Sequence, residues 1–322
     1  MAERRVMTVG MVCVDIINYV VRFPDEDTDV GSKSPLEVPG GLGNRCLDQQ
    51  WCRGGNASNS ATVLSLLGAN AEFFGSIPQG DLTSFFEEDF RRDGVHVDRC
   101  PRLPARTPTS CVIVSAASGT RTIVHSNGDL PELPADALRH VPLREYDWIH
   151  FEGRNIANVN KMVEYVRAER EKNPELKLTI SVELEKANRP ELDTLFSLGE
   201  VVFISKDVAM SKGFTDMESA VRGLKARTLP RSVLICPWGE LGAAACLADG
   251  SVVTSQAHRP PSVVDTVGAG DTFIAACIWR LRRGDPVNRA LRTACVVAGT
   301  KVGVKGFRPL PQLLKDSGLL HE

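Results

Sequence analysis

No stretch of this 322-residue chain approaches the ~18 consecutive apolar residues that a membrane-crossing helix needs. The opening MAERRVMTVG has no apolar run with a small-residue cleavage site and passes almost at once into a strand pattern. No secretion signal is read there, and a cytoplasmic location is expected. Positive charge is not in excess: the formal net charge is −2 and the pI about 6.3. That balance excludes a broad basic footprint for nucleic acid, so any anionic ligand must be held by local groups. The nine cysteines are odd in number and none lie at C-x-x-C spacing. This argues against a disulfide framework or a zinc site and for reduced thiols packed as small hydrophobes. Two phosphate-binding signatures are missing as well. No G-x-x-x-x-G-K-[ST] loop and no G-x-G-x-x-G fingerprint occurs. There is no internal repeat and no low-complexity tract.

What is present reads as one large α/β domain: 43% hydrophobic and 24% charged residues suit a packed core under a solvated surface. Val6–Val14 is a β-rich run and Ile16–Phe23 continues as a second, with Asp15 closing the first between Val14 and Ile16. Residues 24–44 carry Asp25, Glu26, Asp27 and Asp29, then Gly and Pro without any period, which marks a loop. Cys46–Arg53 returns as a strand. From Ala57 strands and helices alternate. Helices are expected over Ala57–Leu67 (ending at Gly68), Asp81–Arg92, Val159–Arg170 and Pro190–Phe196, and near Met217–Leu224. Two more follow over Asp271–Leu281 and Val287–Gly299. Between them lie short strands at Ala71–Gly75, Trp148–Phe151, Lys177–Val182, Val201–Ile204 and Ser232–Cys236. Hairpins are expected about Ser118-Gly119 and Asp249-Gly250. Such alternation predicts a largely parallel sheet covered on both faces, with the early strands left over for a small separate sheet.

The segment Asp265-Thr266-Val267-Gly268-Ala269-Gly270-Asp271 precedes an apolar helix containing Phe273, Ile274, Ala276 and Cys277. Glycines flanking an alanine let backbone N–H groups approach an anion, and a helix start adds partial positive charge. Asp271 then stands where a hydroxyl nucleophile would arrive, able to orient it and take its proton. Its pKa is expected to be lowered by the helix N-terminus. Read alone, the same residues also describe a tight turn and a helix cap. Further upstream, Arg53-Gly54-Gly55-Asn56-Ala57-Ser58-Asn59 offers amides and exposed backbone to vicinal hydroxyls, though an ordinary cap fits equally.

The two segments together, Gly54-Gly55-x-x-x-Asn59 and Asp265-Thr-x-Gly-Ala-Gly-Asp271, stand about 200 residues apart and in this order resemble the paired signatures of the ribokinase-like (PfkB) carbohydrate kinases. TVGMVCVDIINYVVRFPDED, WCRGGNASNSATVLSLLGA, WIHFEGRN and VVDTVGAGDTF bring the likeness closest to the fructose-phosphorylating branch, from about Val6 to Phe307. The resemblance implies a three-layer α/β/α sandwich, a single kinase domain over residues 1–322. A β-sheet lid would be drawn from about 14–53 and part of about 107–126. It implies transfer from Mg-ATP to the 1-hydroxyl of fructose, usually with potassium, and a homodimer formed through the lids; neither nucleic acid nor membrane is implied as a partner. Asp15, Gly55, Asn56 and Asn59 would hold the sugar. Asp271 would be the base, with Gly268, Ala269 and Gly270 as anion hole. Arg121, Lys206 and the turn Gly239-Glu240-Leu241-Gly242 would serve the nucleotide, and Asp27 would reach the partner's pocket. Another acceptor such as ribose or adenosine remains open, as does a sugar binder impaired by the 31–44 block. That block looks like an insertion of about fourteen residues, tolerable for folding because loop closure grows slowly costlier with length. Ser205-Lys206-Asp207-Val208 replaces the Asn-x-x-Glu magnesium motif of many members, so no protein metal ligand is expected.

Overall fold

The structure is a computed structural model and describes residues 3–31, 45–118, 120–316 and 318. Most of the 31–44 block therefore lies outside the described residues, as does Gly119. In chain order the first half contains β1 (Arg5–Val9), β2 (Cys13–Val20), β3 (Cys46–Gly54), α1 (Asn56–Leu66), β4 (Ala71–Phe74), β5 (Ile77–Gln79), α2 (Thr83–Arg92), β6 (Arg102–Pro104), β7 (Thr109–Ser115) and β8 (Arg121–Ser126). The sequence then forms β9 (Tyr146–Phe151), α3 (Ile156–Lys172), β10 (Thr179–Leu184), β11 (Val201–Ile204), α4 (Lys206–Ser211), α5 (Met217–Leu224) and β12 (Val233–Pro237). Last come β13 (Ala243–Cys246), β14 (Val252–Ser255), α6 (Ala269–Leu281), α7 (Val287–Val302) and α8 (Leu310–Asp316).

An eight-stranded sheet runs in the order β14-β13-β12-β11-β10-β9-β1-β4. Its strands are parallel from β4 to β12, and the β13–β14 hairpin adds an antiparallel edge. Residues alternate between two cores with the period of two that a pleated strand imposes. On β11, Val201 and Phe203 face the layer of α1, α6 and α7, whereas Val202 and Ile204 face α3, α4 and α5. Helices on both faces explain why these strands read as continuous apolar runs. The protein is thus the expected three-layer sandwich.

A second sheet, β3-β2-β7-β8, gathers the early strands with the hairpin. The expected single strand over Val6–Val14 divides. At Gly10 the chain turns where an added Cβ would collide with Glu152 and Ala57, and Met11 N–H donates to Glu152 Oε2 at 3.1 Å. Asp15 accordingly does not close the first strand; it is the third residue of β2, inside the second sheet. Buried residues on both sides of the break, at 6–9 and 12–14, read as one β-rich run and hid it. The expected helix at Pro190–Phe196 is a short 3-10 turn over Leu192–Ser197. Several elements went unread in the sequence. Among them are the parallel β5–β6 ribbon and the six-residue helix α4, both too short to show a period. Another is α8, which packs Leu310 and Leu314 into the core beside α6 and α7.

Candidate active site

The parallel strands place their C-terminal ends along one edge, where open α/β sheets bind ligands. From that edge project Glu152 after β9, Glu183 and Glu185 at the end of β10, Lys206 after β11 and the 239–242 turn after β12. The first turn of α6 completes it. Gly268 is the N-cap with left-handed backbone (φ 72°), and a Cβ there would strike the Phe307 ring, so only glycine fits. Asp271 lies in the first helical turn and makes no cap. Its Oδ2 accepts from Asn59 Nδ2 at 2.8 Å, joining α1 to α6 across 212 residues of sequence. The cap reading of Asp271 is therefore set aside.

The turn is laced from within. Asp265 Oδ1 accepts from Val267 N–H at 2.9 Å, Asp265 Oδ2 accepts from Gly306 N–H at 3.0 Å, and the Ala269 amide donates to the Thr266 carbonyl at 3.3 Å. Helix geometry leaves the Gly270 and Asp271 amides without intrahelical acceptors. The space beside Gly270 is open: an added Cβ would meet nothing within 4 Å. An anion can approach that face.

Asn59 and Asn56 hang from the N-terminus of α1. Its N-cap is Gly55 (φ 98°), where a Cβ would run into the Met11 carbonyl. Asn56 Nδ2 donates to Glu185 Oε2 at 2.9 Å and to both oxygens of Glu183 at 3.3 Å. On the second sheet, cross-strand register sets Cys52, Asp15, Ser110 and His125 in one lateral row, hence on one face. Asp15 accepts from Cys13 Sγ at 3.3 Å, and Ser110 Oγ meets His125 Nδ1 at 3.0 Å. Asp15 is close enough to Asp271 for its charge to raise the Asp271 pKa.

Electrostatics differ from the sequence expectation. Burial, chiefly, pushes the Asp271 carboxyl from 3.8 up to about 7; the Asn59 hydrogen bond opposes it, and Glu185, Glu152 and Asp15 add to it. The expected lowering by the helix terminus is overridden. Glu183 is raised well above its ordinary value by burial first, then by Glu185, Asp271 and Glu152, with the Asn56 hydrogen bond opposing. Asp15 too is raised by burial, against hydrogen bonds from Ser110 and Cys13. The three glutamates were missed in the sequence. Two of them, in TISVELE, end an otherwise apolar buried strand, and a charge at such a place needs a partner or a ligand.

The remaining candidates flank this centre. Arg121, on β8, donates to Thr266 Oγ1 at 2.9 Å and so ties the second sheet to the turn. Lys206 opens α4 with its ammonium 5.7 Å from the Trp238 ring. Trp238 leads into Gly239-Glu240-Leu241-Gly242, a turn with Leu241 exposed. Asp27 stands exposed beyond β2 in left-handed backbone (φ 56°). Among the described residues no three acidic, histidine or cysteine side chains converge as metal ligands, and no helix is long and apolar enough to cross a membrane. All nine cysteines carry free thiols.

Comparison with known proteins converges on one family. Ketohexokinase of Mus musculus is 45% identical over 309 residues, covering 95% of this chain and 99% of the mouse protein. Among solved structures, ribokinase from Giardia lamblia superposes with a TM-score of 0.79 at 18% identity, covering 98% of each chain. Arabidopsis thaliana ribokinase complexed with ribose and ATP gives 0.75 at 18% identity, covering 99% of each. At such identity these two bear on the fold alone. Residues 3–313 match the pfkB family carbohydrate kinase profile, and with that coverage the chain belongs to the PfkB family and is a carbohydrate kinase.

Proposed function

We propose that this kinase transfers the γ-phosphoryl group of ATP to the 1-hydroxyl of D-fructose, giving fructose 1-phosphate and ADP. The observation that carries this is a buried carboxyl, Asp271, held by Asn59 beside open first-turn amides, in a chain 45% identical to a ketohexokinase. Asp15, Gly55, Asn56 and Asn59 bind the sugar hydroxyls and aim the 1-hydroxyl at Asp271. The carboxylate takes that proton as the oxygen forms its bond to the γ-phosphorus, and the bond from phosphorus to the bridging oxygen of ADP breaks. Amides at Gly268, Ala269 and Gly270 face the equatorial oxygens, where donors aimed at developing charge are worth most. The Ala269 amide must release Thr266 to join them. Arg121 reaches the phosphates from the second sheet, which acts as a lid. Lys206 and the Gly239–Gly242 turn hold the nucleotide. Magnesium carried by ATP would supply positive charge to the phosphates. The lid's exposed Leu47, Trp51 and Val124 suit burial against a second copy, which would bring the partner subunit's Asp27 to the pocket.

The test is an ATP-coupled assay with fructose, ribose and adenosine as acceptors, with and without potassium, and 31P NMR of the product. Fructose 1-phosphate as the main product supports the reading. Phosphate on another hydroxyl, or no ADP formed with fructose under saturating Mg-ATP, refutes it.

A further inference from the structure

Lys301 is fully buried at the last turn of α7. Its ammonium lies 2.7 Å from Asp265 Oδ2, donates to the Asp265 carbonyl at 2.9 Å and sits 5.4 Å from the Phe307 ring. A buried lysine must be compensated, since an isolated charge is costly to desolvate. Here the ion pair and the hydrogen bond that compensate it both come from the residue that opens the phosphate turn. Around it, the Val302 carbonyl accepts from Val264 and Asp265 N–H at 2.8 and 3.1 Å. Gly306 N–H binds the same Asp265 oxygen that pairs with the ammonium. Phe307 closes against Gly268. Residues 301–307 thus cage residues 264–268, with one internal cation at the centre. The remaining Asp265 oxygen is committed to Val267 N–H, so the carboxylate has no freedom to rotate without breaking the turn. Asp271 is near enough for its charge to act on the ammonium.

We propose that Lys301 is a positioning residue for phosphoryl transfer: a built-in ammonium that, through Asp265, fixes the turn carrying the Gly268–Gly270 amides and Asp271. It touches neither substrate. Misplacing reacting groups by about 1 Å costs ~10²-fold in rate, and that is the size of effect expected when the ammonium is removed. The proposal rests on the kinase reading above for its rate effect, but not for its structural effect. Lys301→Met keeps the stem and removes the charge. Its kcat should fall ~10²-fold while KM for fructose stays within about threefold. Backbone amides 266–271 should exchange hydrogen faster while the main-sheet strands keep their protection. Lys301→Ala removes three methylenes and the ammonium, the length of n-propylammonium, which should restore turnover saturably where tetramethylammonium at equal ionic strength does not. A kcat within about twofold of the parent with unchanged exchange overturns the proposal. So does a loss of turnover that comes with equal loosening of the whole sheet and no propylammonium rescue, which would make Lys301 a stability residue only. If the parent itself fails to phosphorylate fructose, the functional reading fails, and the exchange measurement still decides the role of Lys301.

Discussion

Replacing Asp271 with Asn tests base catalysis and the buried electrostatics together. With the parent carboxyl at about 7, simple titration leaves about 9% of sites ionised near pH 6 and about 91% near pH 8. The base-dependent rate should therefore climb about tenfold across that interval. The bound nucleotide also titrates, so the control is the residual rate of Asp271→Asn, expected ~10²–10⁴-fold lower and without the carboxyl-dependent rise. Stability should move in the opposite sense. The unfolded carboxyl ionises near 3.8 and the folded one near 7. Between those values the folded state holds a proton that the unfolded state has lost, so the parent loses stability as pH rises. At most this is about 4 kcal/mol, taking ~1.4 kcal/mol per tenfold change in proton affinity. Asp271→Asn should flatten the urea midpoint against pH between 5 and 8 and be the more stable protein near pH 8. Parallel pH–rate profiles for parent and variant, or parallel stability profiles, would refute the assignment.

Asn59→Ala removes the hydrogen bond that holds the Asp271 pKa down; the inflection of the pH–rate profile should shift to higher pH and kcat should fall, measured by steady-state turnover. Arg53 is buried and satisfied by Asp89, Asp93, Ser58 and Thr62, with its guanidinium 3.9 Å over Phe90. Arg53→Met leaves those carboxylates, among the described residues, to Arg308 and should cost ~3–5 kcal/mol in chemical denaturation; a loss under ~1 kcal/mol would show the cluster to be replaceable. Gly55→Ala forces a side chain into left-handed backbone against the Met11 carbonyl. It should cost ~1–3 kcal/mol of stability and weaken sugar binding by calorimetry.

The layers were legible because burial on both faces leaves a one-dimensional trace: apolar runs for β9 to β12 and helical periods between them. The division of Val6–Val14 was not, since the turn at Gly10 packs so close to Glu152, 142 positions further on, that an added Cβ would strike it. Candidate residues in glycine-rich segments were legible for a local reason, as Gly55 and Gly268 announce backbone that other residues avoid. Glu152, Glu183, Glu185 and Lys301 come from distant elements and lie in neither recognised motif. They are charges in apolar surroundings, and only the fold shows what each one meets.

The pKa of Asp271 shows how magnitude decides between two correct principles. A helix N-terminus favours a carboxylate by ~0.3–1 kcal/mol when the group is exposed. Taking the same carboxylate out of water can move its pKa by up to ~3–5, several times that energy. Local sequence reveals the first effect, because Gly268 and the apolar residues after Asp271 mark the helix start. The second depends on α1 packing over α6, where Asn59 and Ser60 cover the carboxyl and its backbone. Since burial is the larger effect, the Asp271 carboxyl is poised near neutrality, where the proposed base would be most useful. Enlarging the gap between α1 and α6, for example by Ser60→Gly, should admit water and bring the inflection back toward the ordinary carboxylate range. An unchanged inflection in a variant shown to hydrate that gap would assign the raised pKa to the neighbouring acids instead.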